Sequence, residues 1–402
     1  MPVEFSCDCG GSFNISGLVW QGLHICRKLK CQCCNKIIYD SLPVNQSYLN
    51  EYDFYPETHS VKDRMGNIIP DNWYSVKLKS IANPVNGPVE VEVDVIKKSE
   101  KVIILNTLDF VYGHSLLYLF NLQRLIREEK RPDIIVIVQP MLRWLVPRSE
   151  VAEIWTVKLD FPAFRDYYPD LSEKLNRELE RFKEVYISQG HILPTNTNIQ
   201  IEKFTGIYPF DFENKPVKTG ITFIWREDPD RLWIKNYYLL KGIKKLGLSR
   251  MLLPFHLLRV IRLFRLVRKR LGGEFTYTVA GLGKSFKMPS FIEDHRVVSF
   301  NEENERQLCR IYAESGLVIG VHGSAMLLPS AHAGMVVSLM PSKRWGNFAE
   351  DVLYIETDVR LAAFQRRIIP SNICIADVRD IVIDMITGRD YFIKKFLHDE
   401  EL

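Results

Sequence analysis

The sequence has no run of 18 apolar residues, and it does not begin with a basic region followed by an apolar one. We therefore expect no membrane-spanning helix and no secretory signal peptide, as in a cytoplasmic protein. The formal net charge of +4 over 402 residues is too small to indicate nucleic-acid binding by itself. In a reducing compartment, the eight cysteines are expected to be reduced or bound to metal instead of paired as disulfides.

Two common phosphate-binding signatures are also missing. Neither Gly-x-x-x-x-Gly-Lys nor Gly-x-Gly-x-x-Gly occurs, which excludes a P-loop and the usual dinucleotide fingerprint. No Asp-x-Asp pair follows a strand in a convincing metal-binding position, so we expect no catalytic divalent metal. The hydrophobic share of 46% and the length are those of an ordinary globular protein with two or three domains.

Most of the cysteines fall in the first 34 residues, as CDC at 7–9, Cys26, and CQCC at 31–34. Two tight turns that each supply two thiolates suit the tetrahedral preference of Zn²⁺. The spacing predicts a zinc-ribbon-like module whose zinc is structural. The predicted zinc ligands are Cys7, Cys9, Cys31 and Cys34. Cys26 or Cys33 could substitute for one of them, and free thiols or a disulfide cluster are the alternatives.

Apolar runs alternate with amphipathic helices from Lys101 onward, which indicates an α/β protein. KVIILNTL, DIIVIVQP and VAEIWTVKL are predicted strands of a first Rossmann-like half, followed by a helix over 171–190. GITFIWRE begins a second doubly wound half. The predicted division is a cysteine-rich module (1–40), an N-terminal Rossmann-like acceptor domain (41–205), a C-terminal Rossmann-like nucleotide-sugar domain (206–360) and a C-terminal helical segment packing back (361–402).

A tight polar turn follows a buried strand in SGLVIGVHGSAMLLPSAHAGMVVSLM (315–340). Ligands of open α/β sheets bind at the carboxyl ends of strands. Glycine allows a close approach there, and Ser324 could cap the next helix, whose N-terminus would face a diphosphate. The predicted donor-binding residues are Arg226, Arg231, Lys284, His322, Gly323 and Ser324. The alternatives are a turn that binds nothing and, for the arginines, surface ion pairs with the acids of WREDPDR.

The first half offers a candidate base in DFVYGHSLL (109–117), directly after a buried strand. Histidine suits proton transfer from a hydroxyl near neutral pH, and a carboxylate nearby can orient it. We therefore expect His114 to act as the catalytic base with Asp109 as its partner. The alternative is a histidine that only caps the start of a helix.

Arginine recurs every third residue in MLLPFHLLRVIRLFRLVRKRLGG (251–273), among leucine, isoleucine, valine and phenylalanine. Such a helix suits an anionic membrane surface, which the guanidinium groups can reach while their stems lie along apolar atoms. Few stacking aromatics accompany it, so nucleic acid is not expected as a partner. The alternative is a domain-surface helix with its arginines in water.

Three segments together resemble family 61 glycosyltransferases. VIGVHGSAMLLPSAHAGMVVSLMP resembles the carboxyl-terminal signature, VYGHSLLYLFNLQRLI the N-terminal pattern, and TFIWRED…R the strand with a following arginine. The resemblance runs roughly from Val102 to Pro341. It implies a GT-B-like fold, in which two Rossmann-like domains face a cleft, and inverting transfer of a sugar from a nucleotide donor. It places His114 on the acceptor side and Arg226, His322, Gly323 and Ser324 on the donor side.

The sequence therefore favours a metal-independent, inverting glycosyltransferase of surface polysaccharide synthesis. Its expected partners are a nucleotide-sugar donor, a glycan or lipid-linked acceptor, and an anionic membrane surface on the cytoplasmic side. Two alternatives stay open. One is an enzyme like the polysaccharide pyruvyl transferases, which also have two Rossmann-like halves, and the other is a non-enzymatic zinc-ribbon adaptor that binds through the arginine helix.

Overall fold

The computed structural model of the chain describes residues 7–48, 51–128, 130–190, 199–214, 220–235, 237–348, 353 and 359–397. The chain divides into two units, Met1–Pro194 and Thr195–Leu402, each with its own core. None of the helices in these ranges is both long enough and apolar enough to cross a membrane.

The strands are β1 (Phe13–Trp20), β2 (Ile25–Cys31), β3 (Ile37–Ser41), β4 (Tyr52–Tyr55), β5 (Ser60–Asp63), β6 (Val91–Val95), β7 (Lys101–Asn106), β8 (Asp133–Val138), β9 (Glu153–Val157), β10 (Glu184–Ile187), β11 (Gly220–Arg226), β12 (Tyr277–Leu282), β13 (Glu293–Val297), β14 (Ser315–Val321), β15 (Met335–Met340) and β16 (Arg366–Pro370). The α-helices are α1 (Ser75–Lys79), α2 (Tyr112–Phe120), α3 (Leu122–Arg127), α4 (Pro169–Leu179), α5 (Glu202–Thr205), α6 (Tyr237–Lys245), α7 (Leu253–Leu271), α8 (Glu302–Glu314), α9 (Leu327–His332), α10 (Val359–Gln365) and α11 (Ile375–Leu397).

The first unit begins with an antiparallel sheet in the order β1-β2-β3-β4-β5. Phe13 pairs with Cys31, so the turn before β1 and the turn after β2 lie at the same end of the hairpin. The sheet continues past residue 40, where the cysteine-rich module was predicted to end. Trp20 is fully buried, and its indole N–H donates to Asn176 on α4 at 3.0 Å, which ties this sheet to the rest of the unit.

The second sheet of this unit has the order β10-β7-β8-β9-β6, in which only β6 runs antiparallel to its neighbour. β7, β8 and β9 fall on the predicted strands because the interior strands of a parallel sheet read as continuous apolar runs. The helix predicted over 171–190 is wrong in its second half. α4 ends at Leu179, and Val185 of β10 pairs with Val102 of β7, because the run Val-Tyr-Ile favours a strand.

The second unit has a fully parallel sheet in the order β13-β12-β11-β14-β15-β16. Counted within this unit, the order is 3-2-1-4-5-6, and the direction of winding reverses between β11 and β14. Asn301 caps the start of α8, and its side chain accepts a hydrogen bond from the Asn304 N–H at 2.9 Å. α11 packs on α7 within this unit's own core, and the segment predicted as helical from residue 361 also contains β16.

Candidate functional site

The four cysteines chosen from the spacing converge. The Sγ atoms of Cys7, Cys9, Cys31 and Cys34 all lie within 4.8 Å of one another. Four thiolates about 2.3 Å from one tetrahedral zinc ion would be about 3.8 Å apart, so the geometry fits zinc. Cys26 is buried in the core and Cys33 is exposed, and neither belongs to the cluster. Backbone N–H groups of Cys34 and Cys33 lower the pKa of Cys31 to about 6. The pKa of Cys34 is raised instead: the backbone N–H of Lys36 opposes the rise, but hydrogen bonds with Cys7 and Cys9 outweigh it.

The predicted base and its carboxylate are in contact beyond the end of β7. The His114 Nδ1–H donates to Asp109 Oδ2 at 3.1 Å. Asp109 is fully buried and accepts two further hydrogen bonds, from the Val111 N–H at 2.9 Å and the Tyr118 hydroxyl at 3.3 Å. Burial and the charge of Asp109 raise the pKa of Tyr118 well above its ordinary value, so the phenol stays protonated. The pair therefore presents an oriented imidazole whose side chain is about one-fifth exposed.

A glycine and an arginine lie where the sheet of the second unit reverses its direction of winding, between β11 and β14. Gly323 follows β14 with φ of +143°, a conformation that favours glycine. The Arg231 guanidinium, from the loop after β11, donates to the His322 carbonyl oxygen and covers Gly323. The imidazole of His322 is fully buried, with Nδ1 2.9 Å from the Ser338 Oγ and Nε2 3.2 Å from the Asn347 carbonyl oxygen. The His322 side chain therefore supports the turn from inside.

The expectation that Ser324 caps a helix is wrong. A 3₁₀ turn, Ser324–Met326, precedes α9, and Gly323 and Met326 occupy the cap positions with no side-chain cap bond. Gly323 needs its positive φ to reverse the chain, and this leaves Ser324 inside the turn instead of before it.

Arg226 ends β11 and Lys284 lies in the loop after the neighbouring strand β12, at the same edge of the sheet. The Arg226 guanidinium forms an ion pair with Asp228 at 2.6 Å, which is the alternative that the sequence left open for this arginine. Lys284 is exposed in the loop after β12. That loop is held to the loop after β11 by Glu227, which accepts from the Ser285 N–H at 3.0 Å and the Trp225 Nε1–H at 3.1 Å. Burial of Glu227 raises the pKa of its carboxyl group, but the hydrogen bonds from Ser285 and Trp225 outweigh this effect and keep that pKa below its ordinary value.

A basic cavity of about 1090 Å³ lies at the carboxyl edge of the second unit's sheet, and the sequence did not reveal it. Its walls come from the loops after β11, β15 and β16 and from α6. The cations that line it are Lys235, Lys241, Lys244, Lys245, Lys343 and Arg344. Asp230, the one acid among its described lining residues, pairs with Lys244 at 2.7 Å. The volume suits a ligand the size of a nucleotide sugar, and the charge suits its phosphates.

The missed cations have a weak signal in the sequence. KGIKK (241–245) places three lysines on one side of a helix, and SKR (342–344) directly follows a strand. Nothing in the spacing brings the two together, because they are about 100 residues apart. Their proximity follows from the strand order.

No protein-family model matches this sequence, and no curated protein matches it. Among solved structures, the chain is similar to Escherichia coli ADP-heptose LPS heptosyltransferase II, with a TM-score of 0.41 and 12% identity over 72% of this chain and 99% of that one. It is also similar to TarM (TM-score 0.27, 11% identity, 91% of this chain, 62% of that one). A third structure is the pneumococcal O-GlcNAc transferase GtfA (TM-score 0.26, 10% identity, 92% of this chain, 63% of that one). These structural neighbours are glycosyltransferases.

Proposed function

We propose that this chain is a GT-B-type glycosyltransferase, akin to family 61, that moves a sugar from a nucleotide-sugar donor to a hydroxyl of a glycan or lipid-linked acceptor. The transfer is inverting and needs no catalytic metal. The observation that carries the proposal is the contact between buried Asp109 and partly exposed His114 at the carboxyl edge of a parallel sheet. The basic cavity at the same edge of the other sheet supports it.

The His114–Asp109 pair supplies the base. Because Nδ1–H donates to a carboxylate, the other ring nitrogen, Nε2, is the one that accepts a proton. The acceptor hydroxyl gives its proton to Nε2 as its oxygen forms a bond to the anomeric carbon. The bond from that carbon to the donor phosphate breaks on the opposite face, so the configuration inverts. Asp109 stabilises the imidazolium that results.

The second unit holds the departing nucleoside diphosphate. Its negative charge grows as the glycosidic bond breaks, and fixed cations that face it lower the barrier. Lys343 and Arg344 follow β15 and line the cavity with the lysines of α6. Arg231 and His322 act indirectly, by holding the Gly323 turn. Arg226, Lys284 and Ser324 do not line the cavity, and we keep them as proposed donor contacts at the carboxyl edge of the same sheet.

The zinc ion we propose at the four cysteines is structural. A closed set of four thiolates leaves no position for substrate, so the ion fixes the two turns at the end of the β1–β2 hairpin. A thiolate cluster of this kind suits a reducing compartment, and we place the protein on the cytoplasmic side of a membrane.

The exposed side of α7 is the proposed membrane contact. Phe255 and Leu258, with Met251 in the turn before the helix, are 60% or more exposed, and Arg262 and Arg265 continue the same exposed stripe. Arg259 departs from the predicted stripe because its guanidinium packs over Trp233 at 4.3 Å. Apolar side chains beside cations suit an anionic lipid surface. Phe255→Ser with Leu258→Ser should reduce sedimentation with anionic vesicles, whereas Tyr208→Ser, at another exposed ring, should not.

The experiment that tests the reaction is turnover with UDP-, GDP-, CMP- and dTDP-sugars, and separately with phosphoenolpyruvate. We expect nucleoside diphosphate or monophosphate release from a sugar nucleotide, and loss of this activity in a folded His114→Ala variant. Turnover of phosphoenolpyruvate alone, or unchanged sugar transfer by His114→Ala, would refute the proposal.

A further inference from the structure

An aromatic surface lies next to the proposed base, and proton transfer does not require it. The Trp73 ring is 5.8 Å from the His114 ring and 6.2 Å from the Phe110 ring, measured between centroids. Half of the Trp73 surface remains exposed to solvent. A half-exposed indole beside a base is suited to a flat, partly apolar ligand.

Two cations border the same surface. The Lys77 Nζ lies 5.2 Å from the centroid of the Phe110 ring, and the Arg165 guanidinium carbon lies 5.3 Å from it. Neither cation forms an ion pair with a described residue, and the charge of Asp166 acts on Lys77 only at longer range. Burial, and then the charge of Arg165, lowers the pKa of Lys77. An anion bound beside these cations would offset the repulsion that Arg165 exerts on Lys77.

We propose that these four residues form the acceptor subsite and that the acceptor carries a negative charge beside the hydroxyl that reacts. The acidic-sugar subsite consists of Trp73, Lys77, Phe110 and Arg165. A pyranose ring has an apolar face of C–H groups, which packs on the exposed indole. Its carboxylate or phosphate binds beside Lys77 and Arg165, which leaves a hydroxyl of the same ring to reach toward His114. The assignment of that hydroxyl rests on the proposed function; the binding does not.

Each component has a separate energetic role. Stacking on Trp73 binds any pyranose and so supplies affinity without discrimination. The cations distinguish a charged sugar from a neutral one, because a neutral ligand would leave two like charges without a counter-ion. The subsite therefore predicts that affinity depends on Trp73 for all ligands, and that preference for charge depends on Lys77 and Arg165.

The test is calorimetric binding to the full chain without any donor. The probes are a hyaluronan tetrasaccharide, which carries glucuronates, the neutral chitotetraose, and N-acetylglucosamine 1-phosphate. We expect at least one charged probe to bind about tenfold or more tightly than the neutral one. Trp73→Ala should weaken the charged probe about tenfold. Lys77→Gln with Arg165→Gln should remove the preference, whereas Arg177→Gln, at an exposed arginine on α4, should leave it unchanged.

Preference for the glucuronate probe or for the phosphate probe identifies which anion the subsite takes. No preference for either charged probe, or a preference that survives the double variant, would overturn the subsite. The outcome is independent of the proposed reaction, since no turnover is measured. Charge-selective binding without any sugar transfer would support the subsite and refute the proposed reaction. Transfer to neutral acceptors alone would support the reaction and refute the subsite.

Discussion

The guanidinium of Arg231 occupies the space in which a side chain at position 323 would lie. It donates to the carbonyl oxygen of the preceding residue, and a Cβ built on Gly323 would overlap its atoms. Arg231 follows β11 and Gly323 follows β14, the two neighbouring strands between which the sheet reverses its winding. The turn that resembles a sugar-transferase signature is thus held by a residue 92 positions earlier in the chain.

Gly323→Ala should lower the free energy of unfolding by about 1–3 kcal/mol, because the new methyl group displaces Arg231 and the backbone has φ of +143°. Gly242→Ala is the matched control, since no atom outside its own helix lies within 4 Å of a Cβ there. Denaturant unfolding of both variants measures the difference. Equal stability of the two variants would mean that Arg231 does not hold the turn.

Asp109→Asn should lower kcat about 10²–10⁴-fold with little change in the donor KM, because an amide no longer fixes the tautomer of His114 or stabilises its charged form. Steady-state kinetics with the active donor would measure both constants. The same change at Asp133, a surface carboxylate paired with Lys97 in the same unit, is the control. A variant with normal kcat would show that the pair has no part in proton transfer.

The purified chain should contain one zinc ion. Cys31→Ser should abolish zinc binding and lower the melting temperature, because a thiolate ligand is lost. Cys33→Ser should keep the zinc ion, since its sulfur lies outside the cluster. Native mass spectrometry and a metal assay of the wild-type chain and the two variants measure the zinc content of each. Equal zinc content in both variants would exclude the assigned ligands.

Buried His332 should make the protein less stable as the pH falls. Burial lowers the pKa of His332 to about 4, although its bond to the Leu328 carbonyl opposes this shift. Below about pH 6.5 the unfolded chain binds a proton that the folded chain does not, so stability falls until about pH 4. His332→Gln should flatten the pH slope of unfolding by up to about 1.4 kcal/mol per pH unit. His59→Asn, at an exposed position, should leave that slope unchanged, and an unaltered slope in His332→Gln would contradict this account.

The strands that could be predicted from the sequence are those in which most residues are buried. β7, β11 and β14 are interior strands of parallel sheets, so each is a continuous apolar run. The contact between Asp109 and His114 could be predicted because these residues, in the loop after β7 and in the first turn of α2, are only five positions apart. Cys7, Cys9, Cys31 and Cys34 were found because a hairpin brings its own ends together.

What the sequence did not reveal depends on contacts between distant segments. The cavity cations come from α6 and from the loop after β15, and only the strand order makes them neighbours. Trp73 lies in a polar stretch that reads as a connection, so its place beside His114 could not be inferred. His322 reads as a ligand-facing residue, yet its ring is buried against Ser338, because the strand end turns it inward.

The most direct test of the donor site is a thermal-shift screen of the full chain with UDP-, GDP-, CMP- and dTDP-sugars. A ligand that binds only the folded state at 100 times its Kd adds about 2.7 kcal/mol to stability. We predict that at least one sugar nucleotide raises the melting temperature, and that Lys343→Ala with Arg344→Ala reduces the rise while Lys394→Ala does not. A chain that no sugar nucleotide stabilises, or an equal rise in the cavity variant, would contradict a donor site in the second unit.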